Sequence, residues 1–172
     1  MAGISYQGEL RDAGQTLARA ARVAFGDWLS TGEWDWYTTH TFRDEVKSPR
    51  VADKRWYAWF NSLSMVNRHY GLGRPFYFRV TELQQRGVLH HHALIGGVDE
   101  RVRRRLFKEL WQLHGFAKVE KYDPQLGAAH YVGKYLTKDS EQGDIRFSHN
   151  LTGHLTSTST QCILEGKEGG NA

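Results

Sequence analysis

The chain of 172 residues has one cysteine, Cys162, and three prolines. A lone thiol excludes an internal disulfide and a cysteine-based metal cluster, and it makes a reducing, cytoplasmic compartment the natural setting. No apolar run approaches a membrane span, and the polar N-terminus carries no secretory apolar segment, so no membrane partner is expected. No Gly-x-x-x-x-Gly-Lys-Ser/Thr occurs, which excludes a P-loop helicase in this chain. Internal repeats are also absent. What is present is a core: 40% apolar and 13% aromatic residues suffice for one compact domain over residues 1–164, with a Gly-rich, charged, disordered tail over 165–172. A pI of about 9.2 and a net charge of +4 suit a polyanionic partner, although a balance this mild often serves solubility alone.

Apolar spacing predicts a helix over residues 8–29, with Leu10, Leu17, Ala21, Phe25 and Trp28 inward. Residues 34–42 read as a strand with Trp36, Thr38, His40 and Phe42 on one face. Ser48-Pro49 opens a helix whose buried stripe is Trp56, Trp59, Phe60, Leu63, Val66 and Tyr70, closed by Gly71. Asp99 is expected to cap a third helix with Val102, Leu106, Leu110 and Leu113 inward and Arg101, Arg104, Arg105 and Lys108 as a basic outer ridge for phosphate contact. A strand over 116–122, a helix from Asp123-Pro124 to Lys138 and a strand over 144–148 follow. This order predicts an α+β fold, an antiparallel-rich sheet of about five strands flanked by helices, of the split-βαβ kind.

The most informative stretch runs from Arg79 to Gly97. Gln85-Arg86-Gly87 suits a three-residue hairpin loop ending in a left-handed glycine. With Gln84 facing Val88, Glu82 lies opposite His90 and Val80 opposite His92, all on one face. A two-residue loop would instead put Glu82 on the face opposite His90. One carboxylate and two imidazoles form a set that holds a divalent ion, Mg²⁺ or Mn²⁺, for phosphate chemistry. His91 points to the other face and is assigned to packing or to a supporting hydrogen bond.

The helix after Asp123-Pro124 carries Tyr131 and Tyr135 one turn apart, with Lys134 and Lys138 beside them and Ala128, Ala129, Val132 and Leu136 as the buried stripe. Tyrosines in such positions are more often packing residues than nucleophiles. The combination, however, resembles the HUH endonucleases, specifically the rolling-circle replication initiators. Three elements carry the resemblance in order: the strand Trp36-Tyr-Thr-Thr-His-Thr-Phe42; Glu82 with His90-x-His92; and Tyr131-x-x-Lys134, repeated as Tyr135-x-x-Lys138 as in the two-tyrosine phage initiators. It spans Trp36 to Lys138. His91 stands where the family has a bulky apolar residue, and His40 interrupts the alternation of the first motif.

The resemblance implies an RRM-like sheet and a replication initiator that nicks and rejoins single-stranded DNA at an origin, in or out of a hairpin. Tyr131 or Tyr135 would be the nucleophile, Lys134 and Lys138 its helpers, and Glu82, His90 and His92 the metal ligands. It also implies a plasmid or viral setting, with any helicase supplied by a separate protein. The alternatives are a single-strand transposase of the same superfamily, a histidine-triad hydrolase, which wants a His where Leu94 stands, and a non-catalytic single-strand-binding module stacking bases on Tyr77 and Phe78.

Overall fold

A computed structural model gives the architecture and describes residue 20 and residues 23–84, 87–132 and 144–155. Residues 23–30 are helical (α1); β1 is Trp36–Phe42, α2 Pro49–His69, β2 Phe76–Leu83, β3 Leu89–Gly96, α3 Arg104–Leu110, β4 Gly115–Lys121, α4 Gly127–Val132 and β5 Asp144–Phe147. Single 3-10 turns follow α3, at Trp111–Leu113, and β5, at Leu151–His154. The expected earlier part of the first helix, Lys134, Tyr135 and Lys138 of the last helix, and the C-terminal tail lie outside the described residues.

The five strands form one sheet in the order β4-β1-β3-β2-β5, with every neighbouring pair antiparallel. This is the expected α+β fold with β4 and β5 as edges. Strand alternation then divides the side chains into two layers. On one face, Trp36, Phe42, Tyr77, Ala93 and Ile95 pack against Trp56, Trp59, Phe60 and Leu63 of α2 and Phe107 of α3. On the other, Phe76, Phe78, Val80 and Leu94 are covered by Leu29 of α1, Ala128 of α4 and Leu151. Each such side chain contributes roughly 1.5–3 kcal/mol on full burial, so the first layer, rich in indoles, is the main stabilising core.

α2 begins and ends where the sequence places it. Pro49 occupies its first turn, and at its end Gly71 takes φ 87° while its amide donates to the Arg68 carbonyl at 3.0 Å. Ser48 stands at the N-cap without a side-chain bond; its carbonyl takes the Val51 and Ala52 amides instead, each at 3.1 Å. Two other expectations are corrected. Asp99 does not cap α3: its carboxylate accepts from the Arg101 amide at 2.9 Å and holds a separate turn, and the helix starts only at Arg104. The inward face is therefore Val102, Phe107 and Trp111, whereas Leu106, Leu110 and Leu113 are exposed. Likewise Asp123 and Pro124 build a turn, and α4 starts after it, at Gly127 with φ 70°.

The hairpin joining β2 and β3 is the element that positions the site. The Gln84 amide donates to the Val88 carbonyl at 3.0 Å, the Gly87 amide donates to Gln84 at 2.8 Å, and Gly87 takes φ 74°. Gln84 thus faces Val88, as a three-residue loop requires, and the ladder pairs Glu82 with His90 and Val80 with His92.

Candidate functional site

Two rows of side chains cross the sheet on the face away from α2. One runs Phe116, Thr41, His90, Glu82 from β4 to β2; the next runs Lys118, Thr39, His92, Val80. The His90 and His92 rings lie 4.5 Å apart between centroids, and Glu82 Oε1 stands 3.3 Å from His92 Nε2. Each imidazole is held through its other nitrogen. His92 Nδ1 meets the Tyr37 hydroxyl at 2.9 Å and the Thr39 hydroxyl at 3.3 Å, and His90 Nδ1 meets the Thr41 hydroxyl at 3.0 Å. With Nδ1–H donating to these oxygens, both Nε2 atoms carry their lone pairs, the tautomer a metal ligand needs. The Gln84 amide nitrogen is 3.0 Å from the same His90 Nδ1, and exchanging its oxygen and nitrogen supplies a second acceptor for that proton.

This arrangement tests the donor set for a divalent ion. Two ligand atoms sharing one small ion at ~2.1 Å and near right angles stand ~3 Å apart, and the Glu82–His92 separation is of that size. Among the described residues no three His, Cys, Asp or Glu side chains are gathered tightly enough to hold an ion as they stand. The backbone register therefore supplies the convergence and the side-chain torsions complete it.

Beside His92 opens a cleft of about 470 Å³ lined by Tyr37, Thr39, Lys118, Lys121 and Tyr131. α4 thus brings Tyr131 to the same cleft as one of the histidines. Its ring lies 4.6 Å from that of Tyr37, and its hydroxyl accepts from the Asp123 amide at 3.1 Å. Burial, followed by the neighbouring Tyr131, raises the Tyr122 phenol above its ordinary pKa. Lys118 is paired with Glu120 at 2.9 Å.

Sequence reasoning named neither the lysines of β4 nor the supporting role of Tyr37, Thr39 and Thr41. The signal for the hydroxyls was present, since they alternate with the apolar face of β1. Their partners depend on the β1–β3 register, which one sequence does not reveal.

On the opposite face, His91 is fully buried, with Nδ1 2.9 Å from the Thr81 hydroxyl and its ring edge-on to Phe42. It is a packing residue held by one hydrogen bond. Burial, with the Arg79 charge adding to it, pushes its pKa well below the usual histidine range, against a smaller opposite effect from the Ala52 carbonyl. Arg79 is itself wholly buried, ion-paired with Asp53 and 4.7 Å over the Trp56 ring.

The basic ridge divides. Arg104, Arg105 and Lys108 line, with Arg103 and Val119, a second cleft on the α3 side of β4. Arg101 lies apart, bound to Asp99 at 2.6 Å and to the Tyr70 carbonyl at 3.1 Å. Tyr77 and Phe78, the bases' platform in the binding-module alternative, are both buried and unavailable for stacking.

The family model for the ORF2 class of replication-associated proteins matches residues 35–140, from just before β1 to beyond α4 and well over half of the chain. The chain belongs to this replication-associated protein family. The match covers all three motifs and the strands and helix that line the cleft, and it makes this replication-associated protein one of the rolling-circle type. Neither a curated protein nor a solved structure matches the chain.

Proposed function

We propose that this replication-associated protein is an HUH endonuclease of the two-tyrosine type that nicks and rejoins single-stranded origin DNA. One observation carries the reading: Glu82, His90 and His92 from one hairpin and Tyr131 from a distant helix are assembled around a single cleft edge, with hydroxyls of β1 holding both imidazoles through Nδ1. Glu82, His90 and His92 would hold Mg²⁺ or Mn²⁺, which supplies polarisation of a phosphate and stabilisation of charge growing on its oxygens.

The protein's own groups do the rest. Tyr131 is the principal nucleophile: its oxygen forms a bond to phosphorus as the bond from phosphorus to the 3′ oxygen breaks. The phenolic proton passes to solvent and the leaving oxygen takes one up, which gives a 5′-phosphotyrosine and a free 3′-OH. A free phenol has a pKa near 10, so cations assist: Lys134 by motif, and Lys118 and Lys121 by their place in the cleft. Because the phosphodiester energy is retained, the reverse step rejoins strands. Tyr135, with Lys138, is the second nucleophile for a further round.

The test incubates a single-stranded oligonucleotide carrying the origin with wild type, Tyr131→Phe, Tyr135→Phe and the double variant in Mn²⁺, and resolves adducts on denaturing gels. Adduct from wild type, a large loss in Tyr131→Phe and none in the double variant is expected. Adduct in the double variant refutes the tyrosine mechanism, and full adduct from Tyr131→Phe with none from Tyr135→Phe reverses the order of the two. Calorimetry with Mn²⁺ alone should give one dominant site that a folded His90→Ala, His92→Ala variant has lost.

A further inference from the structure

The row of side chains holding His90 and Glu82 does not stop at Thr41. Its last member is Phe116 of β4, paired with Thr41, which in turn pairs with and hydrogen-bonds His90. Strands are ~4.8 Å apart, so the Phe116 backbone is ~10 Å from that of His90 along a flat path. Phe116 is 58% exposed, on an edge strand, with nothing of the sheet beyond it. A phenylalanine so placed makes no contribution to either core. Lys108 reaches round the edge from α3 and sets its ammonium 5.7 Å from the centre of the ring. Behind it Arg103 and Arg104 line the α3-side cleft. Among the described residues neither these two arginines nor Lys108 has an acidic partner.

We infer that Phe116 and Lys108 form a base-stacking subsite for a nucleotide flanking the scissile phosphate of single-stranded DNA. The inference rests on the proposed nicking of such DNA and adds to it a residue that positions the strand. Every base has a face that stacks on an aromatic ring, so the contact tolerates sequence, while the cation meets the phosphate that accompanies the base. Charge decides between occupants. An apolar protein segment would set its own backbone against Lys108, Arg103 and Arg104 without neutralising them, whereas a polynucleotide neutralises all three.

The experiment measures binding of a fluorescent origin oligonucleotide to the full chain by anisotropy, scanning a single abasic position along it. For wild type, one flanking position should be sensitive, with affinity falling roughly 5- to 150-fold when its base is removed. Phe116→Leu should bind the intact strand more weakly by a similar factor and lose its sensitivity at that one position, whereas Phe116→Trp should keep both. Because the ring is exposed, these variants should melt like wild type. Phe116→Leu that retains the abasic profile of wild type overturns the inference while leaving the nicking reading intact. Self-association of wild type that Phe116→Leu abolishes without change in DNA affinity also overturns it, by assigning the ring to a second copy. No binding of single strands by wild type removes both readings.

Discussion

His40 lies edge-on between Trp59 and Trp111, with ring centroids 4.4 and 4.5 Å away, and among the described residues neither of its nitrogens has a hydrogen-bond partner. Burial lowers its pKa well below the usual range, and His91, His90, Arg79 and His92 add to the effect in that order. The unfolded chain protonates His40 near pH 6.5 while the folded chain resists. Its contribution to stability is therefore full above that pH and is lost as the pH falls toward the folded value. His91 behaves in the same sense. A buried polar atom without a partner costs about 1–3 kcal/mol, and a phenyl ring fills nearly the same space. His40→Phe should then be about 1–3 kcal/mol more stable than wild type in urea melts at pH 7.5, and lose less of its stability on going to pH 5. Equal pH dependence of the two proteins would show that His40 is not the titrating group. The same residue marks a limit of the sequence: alternation placed it inward, but nothing local said that two indoles from separate helical elements would enclose it.

At the scale of elements, what could be read depended on whether the deciding contact was local. The β2–β3 hairpin was legible because its register follows from the loop, and Gln85-Arg86-Gly87 left the choice between two and three residues to one glycine, which takes φ 74°. β1 was legible through its alternation and α2 through Pro49 and its aromatic stripe. α3 was not. Its four aliphatic positions fit a helix starting at Asp99, but the helix starts at Arg104, and aromatics with a polar group to satisfy win the inward face. Trp111 Nε1 donates to the Thr41 carbonyl at 3.0 Å, and Trp59 Nε1 donates to the Phe107 carbonyl at 2.8 Å. Those bonds tie α3 to β1 and α2, contacts far apart in sequence. The buried area of an aromatic ring, roughly 150–250 Å², outweighs an exposed leucine. Phe107→Ala should consequently cost about 3–5 kcal/mol and Leu106→Ala within about 0.5 kcal/mol, compared by urea melts. Similar losses for the two would mean that the helix presents the face the sequence alone suggested.

The whole molecule is a sheet with unequal faces. α2 and α3 seal one; the other is covered by α1, α4 and the turn at Leu151–His154 toward Phe76, Phe78 and Leu94, and His92, Thr39 and the β4 lysines border a cleft beyond them. A polyanion held there can continue round the free edge of β4 to the α3 side, so cations from both faces belong to one path. Ion pairing predicts which of them count. Arg101 is held by Asp99 through contacts of 2.7 and 2.6 Å, and Arg105 by Glu109 at 2.7 Å, while Arg104 and Lys108 have no carboxylate partner among the described residues. A cation already paired releases less counterion from DNA than an unpaired one, because binding must first break or share its bond to the carboxylate. For single strands, log K falls with log salt by about 0.7 per neutralised phosphate. Arg104→Gln and Lys108→Gln should each reduce that slope by about 0.7, measured by anisotropy across a sodium chloride series, and the double variant by their sum. Arg101→Gln should leave it near the wild-type value, since its guanidinium stays on Asp99 and Tyr70. A slope unchanged by the Arg104 and Lys108 substitutions would reduce the ridge to a solvated helix face and confine the DNA to the histidine side of the sheet.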